Sequence, residues 1–155
     1  MKQTEKSAVR LHITNLFGLG ARRLAQSLVP ELINNPDFNI ETVYVPFESK
    51  GEDLGIMAGD AKIILYKRLL PKFISRFLEC TVFGYRFNGA SPLLVLGDIP
   101  IRCEANQTVF VQTPLLVRNV SCQKPLDSIK YRVMRWLFSY NSQYADRFIV
   151  QTEWM

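Results

Sequence analysis

The chain has 155 residues, of which 48% are hydrophobic and 21% are charged. This length fits one domain with a sizeable core, and the composition excludes both an intrinsically disordered chain and a bundle of membrane helices. The net charge of +5 is moderate and is spread along the chain apart from two clusters, so no nucleic-acid partner is expected.

The first third of the chain has the pattern of a β-loop-α-β unit. Residues 9–14 alternate apolar and polar side chains and predict a strand, and residues 15–20 supply the glycines of a turn. Apolar residues at helical spacing then predict a helix over 21–32, which Asn34-Asn35-Pro36 ends. Residues 40–45 predict the next strand. Short connections of this kind favour a parallel crossover.

The rest of the chain continues the pattern. Residues 46–59 mix glycine and charge without periodicity and predict a long loop. Strands are predicted at 61–66, 92–96, 108–111 and 147–151, and helices at 69–78 and 129–140. The continuous apolar runs among these strands are typical of a parallel sheet covered on both faces. The sequence therefore predicts an α/β fold with a doubly wound, mostly parallel, Rossmann-like sheet and helices on both faces.

Two basic clusters accompany the last two predicted helices. The first consists of Lys67, Arg68, Lys72 and Arg76, and the second of Lys124, Lys130, Arg132 and Arg135. In the last helix Arg132 and Arg135 lie off a single apolar stripe of Ile129, Val133, Trp136, Leu137 and Tyr140. Basic residues beside aromatic ones suit anionic lipid headgroups or phosphorylated substrates. The alternative is that both clusters are solvated faces of helices.

Nothing in the sequence predicts secretion or a membrane span. No apolar run approaches the ~20 residues that cross a bilayer, and residues 1–10 lack the apolar core of a signal peptide. We expect a disordered tail at 1–7, a single domain at 8–155, and a cytoplasmic location or peripheral contact with the inner face of the membrane. Cys80, Cys103 and Cys122 have no C-x-x-C spacing, so they are interpreted as packing residues rather than as disulfides or zinc ligands.

Ligands of doubly wound sheets bind outside the carboxyl ends of the strands. Gly18-Leu19-Gly20 follows the first predicted strand and opens a helix, where backbone amides can approach a phosphate. The dinucleotide fingerprint G-x-G-x-x-G is incomplete, because Arg23 stands in place of the third glycine. A simple glycine turn is the alternative.

Asp98 and Arg102 follow the predicted strand at 92–96. The Asp98 carboxylate is a candidate hydrogen-bonding partner for a sugar hydroxyl, and capping of the local turn is its alternative role. Arg102 is a candidate partner for a phosphate or carboxylate because its guanidinium binds anions bidentately. The single histidine, His12, lies inside a predicted strand and is interpreted as a structural residue, and no metal-binding cluster is visible.

The closing segment YADRFIVQTEWM, residues 144–155, resembles the end of the N-terminal domain in family-four, glycogen-synthase-like retaining glycosyltransferases of the GT-B fold. Other pieces agree with that family in chain order. These are the glycine-containing first loop with residues 21–25 and Leu28 behind it, residues 94–100, and the strand end at 109–114. The family often has a histidine where Gln112 stands here.

The resemblance implies transfer of a sugar from a nucleotide-sugar co-substrate to a saccharide or lipid-linked acceptor, without a metal. It implies that this chain is the acceptor-side half, with Gly18, Leu19 and Gly20 facing the donor and with Asp98, Arg102 and Gln112 at the acceptor. In the family a C-terminal domain holds the donor through two glutamates eight positions apart, a spacing that no glutamate pair has here. We therefore expect a missing donor domain or a partner chain, and no activity from this chain alone. The sequence assigns no catalytic residue.

Two other functions stay open. A non-catalytic subunit that binds or presents an acceptor to a separate donor-binding chain has the same sequence features. A Rossmann-type nucleotide-binding module is the third reading, and the missing third glycine argues against it.

Overall fold

The structure, a computed structural model, describes residues 7–13, 19–47, 61–68, 70, 72–113 and 125–150. Its strands are β1 (Ser7–Ile13), β2 (Phe38–Pro46), β3 (Lys62–Tyr66), β4 (Leu93–Leu96), β5 (Gln107–Val111) and β6 (Arg147–Val150). Its helices are α1 (Leu19–Asn34), α2 (Lys72–Cys80) and α3 (Pro125–Asn141). The predicted order of elements is confirmed.

Two element boundaries differ from the predicted ones. β1 already includes Ser7, which the sequence assigned to the tail, while residues 1–6 lie outside the described part of the chain. α2 begins at Lys72 rather than at 69, because a residue before proline avoids the helical conformation and Leu70 precedes Pro71. Most of the predicted loop at 46–59 also lies outside the described residues.

The strands form one parallel sheet in the order β3-β2-β1-β4-β5-β6. Every neighbouring pair is parallel, so the sheet is wholly rather than mostly parallel. The order reverses between β1 and β4, which is the mark of a doubly wound, Rossmann-like sheet. The predicted fold class is confirmed.

Helices cover both faces of the sheet. On one face Leu11 and Ile13 of β1 pack with Val43 of β2 against Ala25 and Val29 of α1. The other face carries Val95, Val109 and Val111, together with residues of α3 such as Phe138. Because both faces are buried, the central strands need apolar side chains at successive positions, which explains their continuous apolar runs.

The crossover from β4 to β5 has no helix and lies against the α2–α3 side of the sheet. Its apolar positions Ile99 and Ile101 are buried. Its backbone is held by the buried Gln107 side chain, which accepts a bond from the Ile101 N–H at 2.7 Å and donates to the Ile101 carbonyl at 2.8 Å. Gly84, in a 3-10 turn, packs so closely against the Arg102 carbonyl that a β-carbon would overlap that oxygen. The crossover is therefore a fixed part of the core.

α3 does not bury the stripe that the sequence suggested. Of that stripe only Leu137 is buried, and the helix packs inward through Leu137, Met134 and Phe138. Trp136, by contrast, is 54% exposed and Ile129 59% exposed. α3 thus has a buried apolar side and a second, exposed apolar side. No helix in the described part of the chain is long and apolar enough to cross a membrane.

Candidate functional site

The switch point of the sheet lies between the carboxyl ends of β1 and β4, at Ile13 and Leu96. Ligands of such sheets bind in the crevice outside this point. The loop after β1 contains Gly18, which lies outside the described residues, whereas Leu19 and Gly20 form the first turn of α1. The role of Gly18, Leu19 and Gly20 toward a donor stays a prediction.

Asp98 lies directly after β4 on the other side of the switch point and is fully buried. Its carboxylate accepts hydrogen bonds from the Gln112 N–H at 2.5 Å, the Thr113 N–H at 3.0 Å and the Thr113 hydroxyl at 2.9 Å. Its φ of 67° is left-handed, a conformation that Asp and Asn tolerate better than most residues. Asp98 thus ties the end of β4 to the end of β5, a local structural role, and a direct bond to a sugar stays a prediction.

Gln112 follows β5 at the same edge and is half-buried. Its backbone is fixed by Asp98, and among the described residues its side-chain amide has no hydrogen-bond partner. Of the three proposed acceptor residues, Gln112 therefore combines a fixed backbone with a half-buried side-chain amide that has no partner among the described residues.

The placement of Arg102 corrects the sequence prediction. The crossover has already returned toward the amino ends of the strands at this point, because neighbouring Ile101 bonds to Gln107, the first residue of β5. The Arg102 guanidinium lies 5.9 Å from the ring of Tyr144, just before β6. Arg102 therefore does not share the carboxyl edge with Asp98. The short separation of Asp98 and Arg102 in the chain did not predict their separation in space, because the connection after β4 is an extended crossover rather than a turn.

A cavity of about 580 Å³ lies between α2 and the β2–β3 side of the sheet. Its walls are mostly apolar and aromatic, and its charged groups come from the carboxyl end of β3, from α2 and from the 3-10 turn. The main lining residues are Tyr44, Tyr66, Arg68, Glu79, Phe83 and Phe87. This size suits a small organic ligand.

Glu79 is the centre of a buried polar network in the cavity wall. Its carboxylate accepts a hydrogen bond from the Tyr66 hydroxyl at 2.8 Å and another from Arg68 Nε at 3.0 Å. Burial raises the pKa of Glu79 above its usual range, and the Arg68 guanidinium acts against that shift. Burial likewise raises the pKa of Tyr66, which keeps its hydroxyl protonated and able to donate. The network joins β3 to α2.

His12 adjoins this network from β1, with Nε2 3.3 Å from Glu79 Oε1. The angles at that contact do not make a hydrogen bond, and neither ring nitrogen has such a partner among the described residues. Burial, with Arg68 and Arg76 nearby, holds the pKa of His12 well below 6.5, so the ring is neutral at neutral pH. Its edge packs on Phe87 with 4.2 Å between ring centroids. The interpretation of His12 as structural fits this aromatic setting.

The sequence missed the network because its members are far apart in the chain. It placed Arg68 and Arg76 in a basic surface cluster, whereas the Arg68 side chain is only 5% exposed and pairs with Glu79, and Arg76 donates to the Gly97 carbonyl. Two members of the first basic cluster, Arg68 and Arg76, are therefore engaged with the protein, whereas Lys67 is exposed. The one available signal was Glu79, an acidic residue directly after the predicted helix at 69–78.

We expect His12→Phe to remove an acid-dependent loss of stability. Above pH 6.5 the folded and unfolded states both hold neutral histidine. As the pH falls below 6.5 only the unfolded state binds the proton, so the native protein should lose up to ~1.4 kcal/mol per pH unit. The phenylalanine variant keeps the aromatic packing and should lack this slope. Urea unfolding of both proteins across this pH range tests it, and parallel stability curves would contradict it.

The described part of the chain also has metal-ligating residue types, cysteines and a second cavity, each of which bears on its chemistry. It contains no cluster of His, Cys, Asp and Glu that would hold a metal ion. Cys80 and Cys103 are buried free thiols, as their packing role requires, and burial raises the pKa of Cys80 to about 12. Cys122 lies outside the described residues. A second cavity of about 340 Å³, on the α1 side, is lined almost wholly by apolar residues.

Comparisons of the chain with protein-family models, curated protein sequences and solved structures found no match. The structure itself shows a Rossmann-like α/β domain with a cavity between α2 and the β2–β3 side of the sheet.

Proposed function

We propose that this domain is the acceptor-binding half of a retaining glycosyltransferase of the GT-B type. One observation carries the proposal, which is the strand order. The order reverses between β1 and β4, and Asp98 joins the ends of β4 and β5 beside this reversal, which supports a ligand site there. Of the segments that resemble the glycosyltransferase family, residues 94–100 include the end of β4 and Asp98, and residues 109–112 include the end of β5 and Gln112.

In the proposed reaction the bond between the sugar and the leaving nucleotide breaks, and a glycosidic bond to the acceptor forms on the same face of the sugar. The acceptor hydroxyl passes its proton to the leaving phosphate, so the reaction requires no basic side chain from this domain. The domain has to bind the acceptor and hold its hydroxyl toward the donor, which contributes through orientation. A second domain or chain would hold the nucleotide-sugar.

Acceptor binding to the purified protein is the direct test. Two-dimensional amide NMR is recorded during titration with monosaccharides, disaccharides and their 1-phosphates. We expect at least one saccharide to shift the amides of Asp98, Gln112 and Thr113. If the whole panel leaves these amides unmoved, or shifts only residues at the amino edge such as Tyr144, the proposal is wrong.

We expect Gln112→Ala to weaken acceptor binding about two- to tenfold, the loss of one uncharged hydrogen bond. The thermal melt should not change, because Asp98 holds the backbone rather than the side chain of Gln112. Gln143→Ala is the matched control, since Gln143 is exposed in the 3-10 turn that follows α3. Equal affinities in the Gln112 variant and the control would contradict the assignment.

A further inference from the structure

α2 and α3 lie side by side and present a continuous apolar surface to solvent. The Trp136 ring stacks on Phe77 of α2, with 6.4 Å between centroids, and on Tyr140 one turn along α3, with 5.6 Å between centroids. Phe73 lies one helical turn before Phe77, and Ile129 two turns before Trp136. We call this surface the α2–α3 face, and its members are Phe73, Phe77, Ile129, Trp136 and Tyr140.

The α2–α3 face is not part of the protein core. Apart from Phe77, its members are between 41% and 59% exposed. Other residues form the core side of α3. Leu137 packs against Cys80 and Ile99, and the Asn141 side-chain amide donates to the carbonyls of Cys80 and Pro100. Exposed apolar patches of this kind in soluble domains commonly mark an interaction surface.

The charges of α3 from Ile129 onward, the part of the helix with described side chains, have one sign. From Ile129 to its end α3 contains Lys130, Arg132 and Arg135 and no acidic residue. Lys130 and Arg132 are exposed. The only acidic residue of α2, Glu79, is buried and paired with Arg68. An occupant of this face therefore meets aromatic rings bordered by positive charge.

We propose that the α2–α3 face docks peripherally on an anionic membrane surface. Tryptophan and tyrosine favour the level of the lipid headgroups because one part of each ring system is apolar and another is polar. Lysine and arginine beside them attract anionic headgroups, and a helix with this distribution lies in the plane of the interface. The basic border selects an anionic bilayer over a neutral one. This inference does not depend on sugar transfer.

Co-sedimentation of the purified protein with vesicles tests the proposal. We expect binding to vesicles of equal parts phosphatidylcholine and phosphatidylglycerol, weak binding to phosphatidylcholine alone, and loss of binding as salt is raised. Trp136→Ser and Arg132→Glu should each weaken binding to the anionic vesicles about tenfold. In a Trp154→Phe background Trp136 is the only tryptophan, so its emission should shift to the blue on binding and be quenched by brominated lipid.

Matched substitutions on the other side of the sheet control for charge and hydrophobicity. Arg23→Glu on α1 changes the net charge as Arg132→Glu does, and Phe38→Ser removes an aromatic ring that is 40% exposed. Both should bind like the parent protein. The proposal is overturned if the controls lose as much binding as the test variants, if neutral vesicles bind equally well, or if Trp136 instead mediates a dimer in sedimentation velocity.

Discussion

Arg10→Met is expected to lower the free energy of unfolding by about 3 to 5 kcal/mol. Arg10 lies in the middle of β1, is 5% exposed, and has no carboxylate partner among the described residues. Its guanidinium instead makes five hydrogen bonds to the backbone carbonyls of Phe87, Asn88, Gly89 and Ser91. These carbonyls form the turn that leads into β4.

The loss is large because methionine leaves several partly buried carbonyls without donors. Gly89 is part of the same arrangement, since a β-carbon there would overlap the guanidinium. Arg10→Lys keeps the charge but offers fewer donors in a different geometry, so it should lose about half as much. Chemical denaturation measures all three proteins. Arg23→Met, at an exposed position of α1, is the control and should change the free energy of unfolding by less than ~0.5 kcal/mol. A free energy of unfolding for Arg10→Met equal to that of this control would contradict the role of Arg10.

Glu79→Ala is expected to cost about 3 to 5 kcal/mol, because it removes a carboxylate that pairs with the buried Arg68 guanidinium and accepts from the Tyr66 hydroxyl. The Arg68 side chain is 5% exposed and lies 3.0 Å from Glu79 Oε2. The substitution also deprives the Tyr66 hydroxyl of its acceptor. Because β3 and α2 are joined through this network, the cavity wall should loosen as well.

A double substitution separates charge from packing. Glu79→Leu with Arg68→Met replaces the buried pair by apolar side chains, and such replacements are often neutral or stabilising, so the double variant should recover most of the loss. Glu41→Ala is the control, because Glu41 is exposed and its bond to the Ser91 hydroxyl lies at the surface. Equal losses in the single and double variants would show that the ion pair is not the cause. Chemical denaturation of the four proteins at neutral pH gives the comparison.

The fold followed from local sequence patterns. Alternation in β1, helical spacing in α1 and the continuous apolar runs of β4 and β5 each report which faces of an element are buried, and burial is what these patterns measure. The proline and glycine positions between them mark where elements end. The position of Asp98 followed for the same reason, since a residue just after a buried strand lies at the edge of the sheet.

The predictions that failed needed distances through space. Arg102 is close to Asp98 in the chain, yet the crossover carries it toward the opposite edge of the sheet. In α3 the sequence showed one apolar stripe, although the helix has one apolar side in the core and another in solvent. Hydrophobic spacing identifies apolar sides but does not say which of two sides meets the sheet.

The sequence by itself determined the class of fold, the order of the strands and helices along the chain, and the edge where Asp98 and Gln112 lie, because each depends on neighbours in the chain. Only the tertiary structure decided the partners of Arg10, His12 and Glu79 and the joining of α2 and α3 into one aromatic, basic face. Those outcomes depend on which groups are brought within a few ångströms after folding. A buried charge is stabilised by whatever donor or acceptor the fold places beside it, whatever their separation in the sequence.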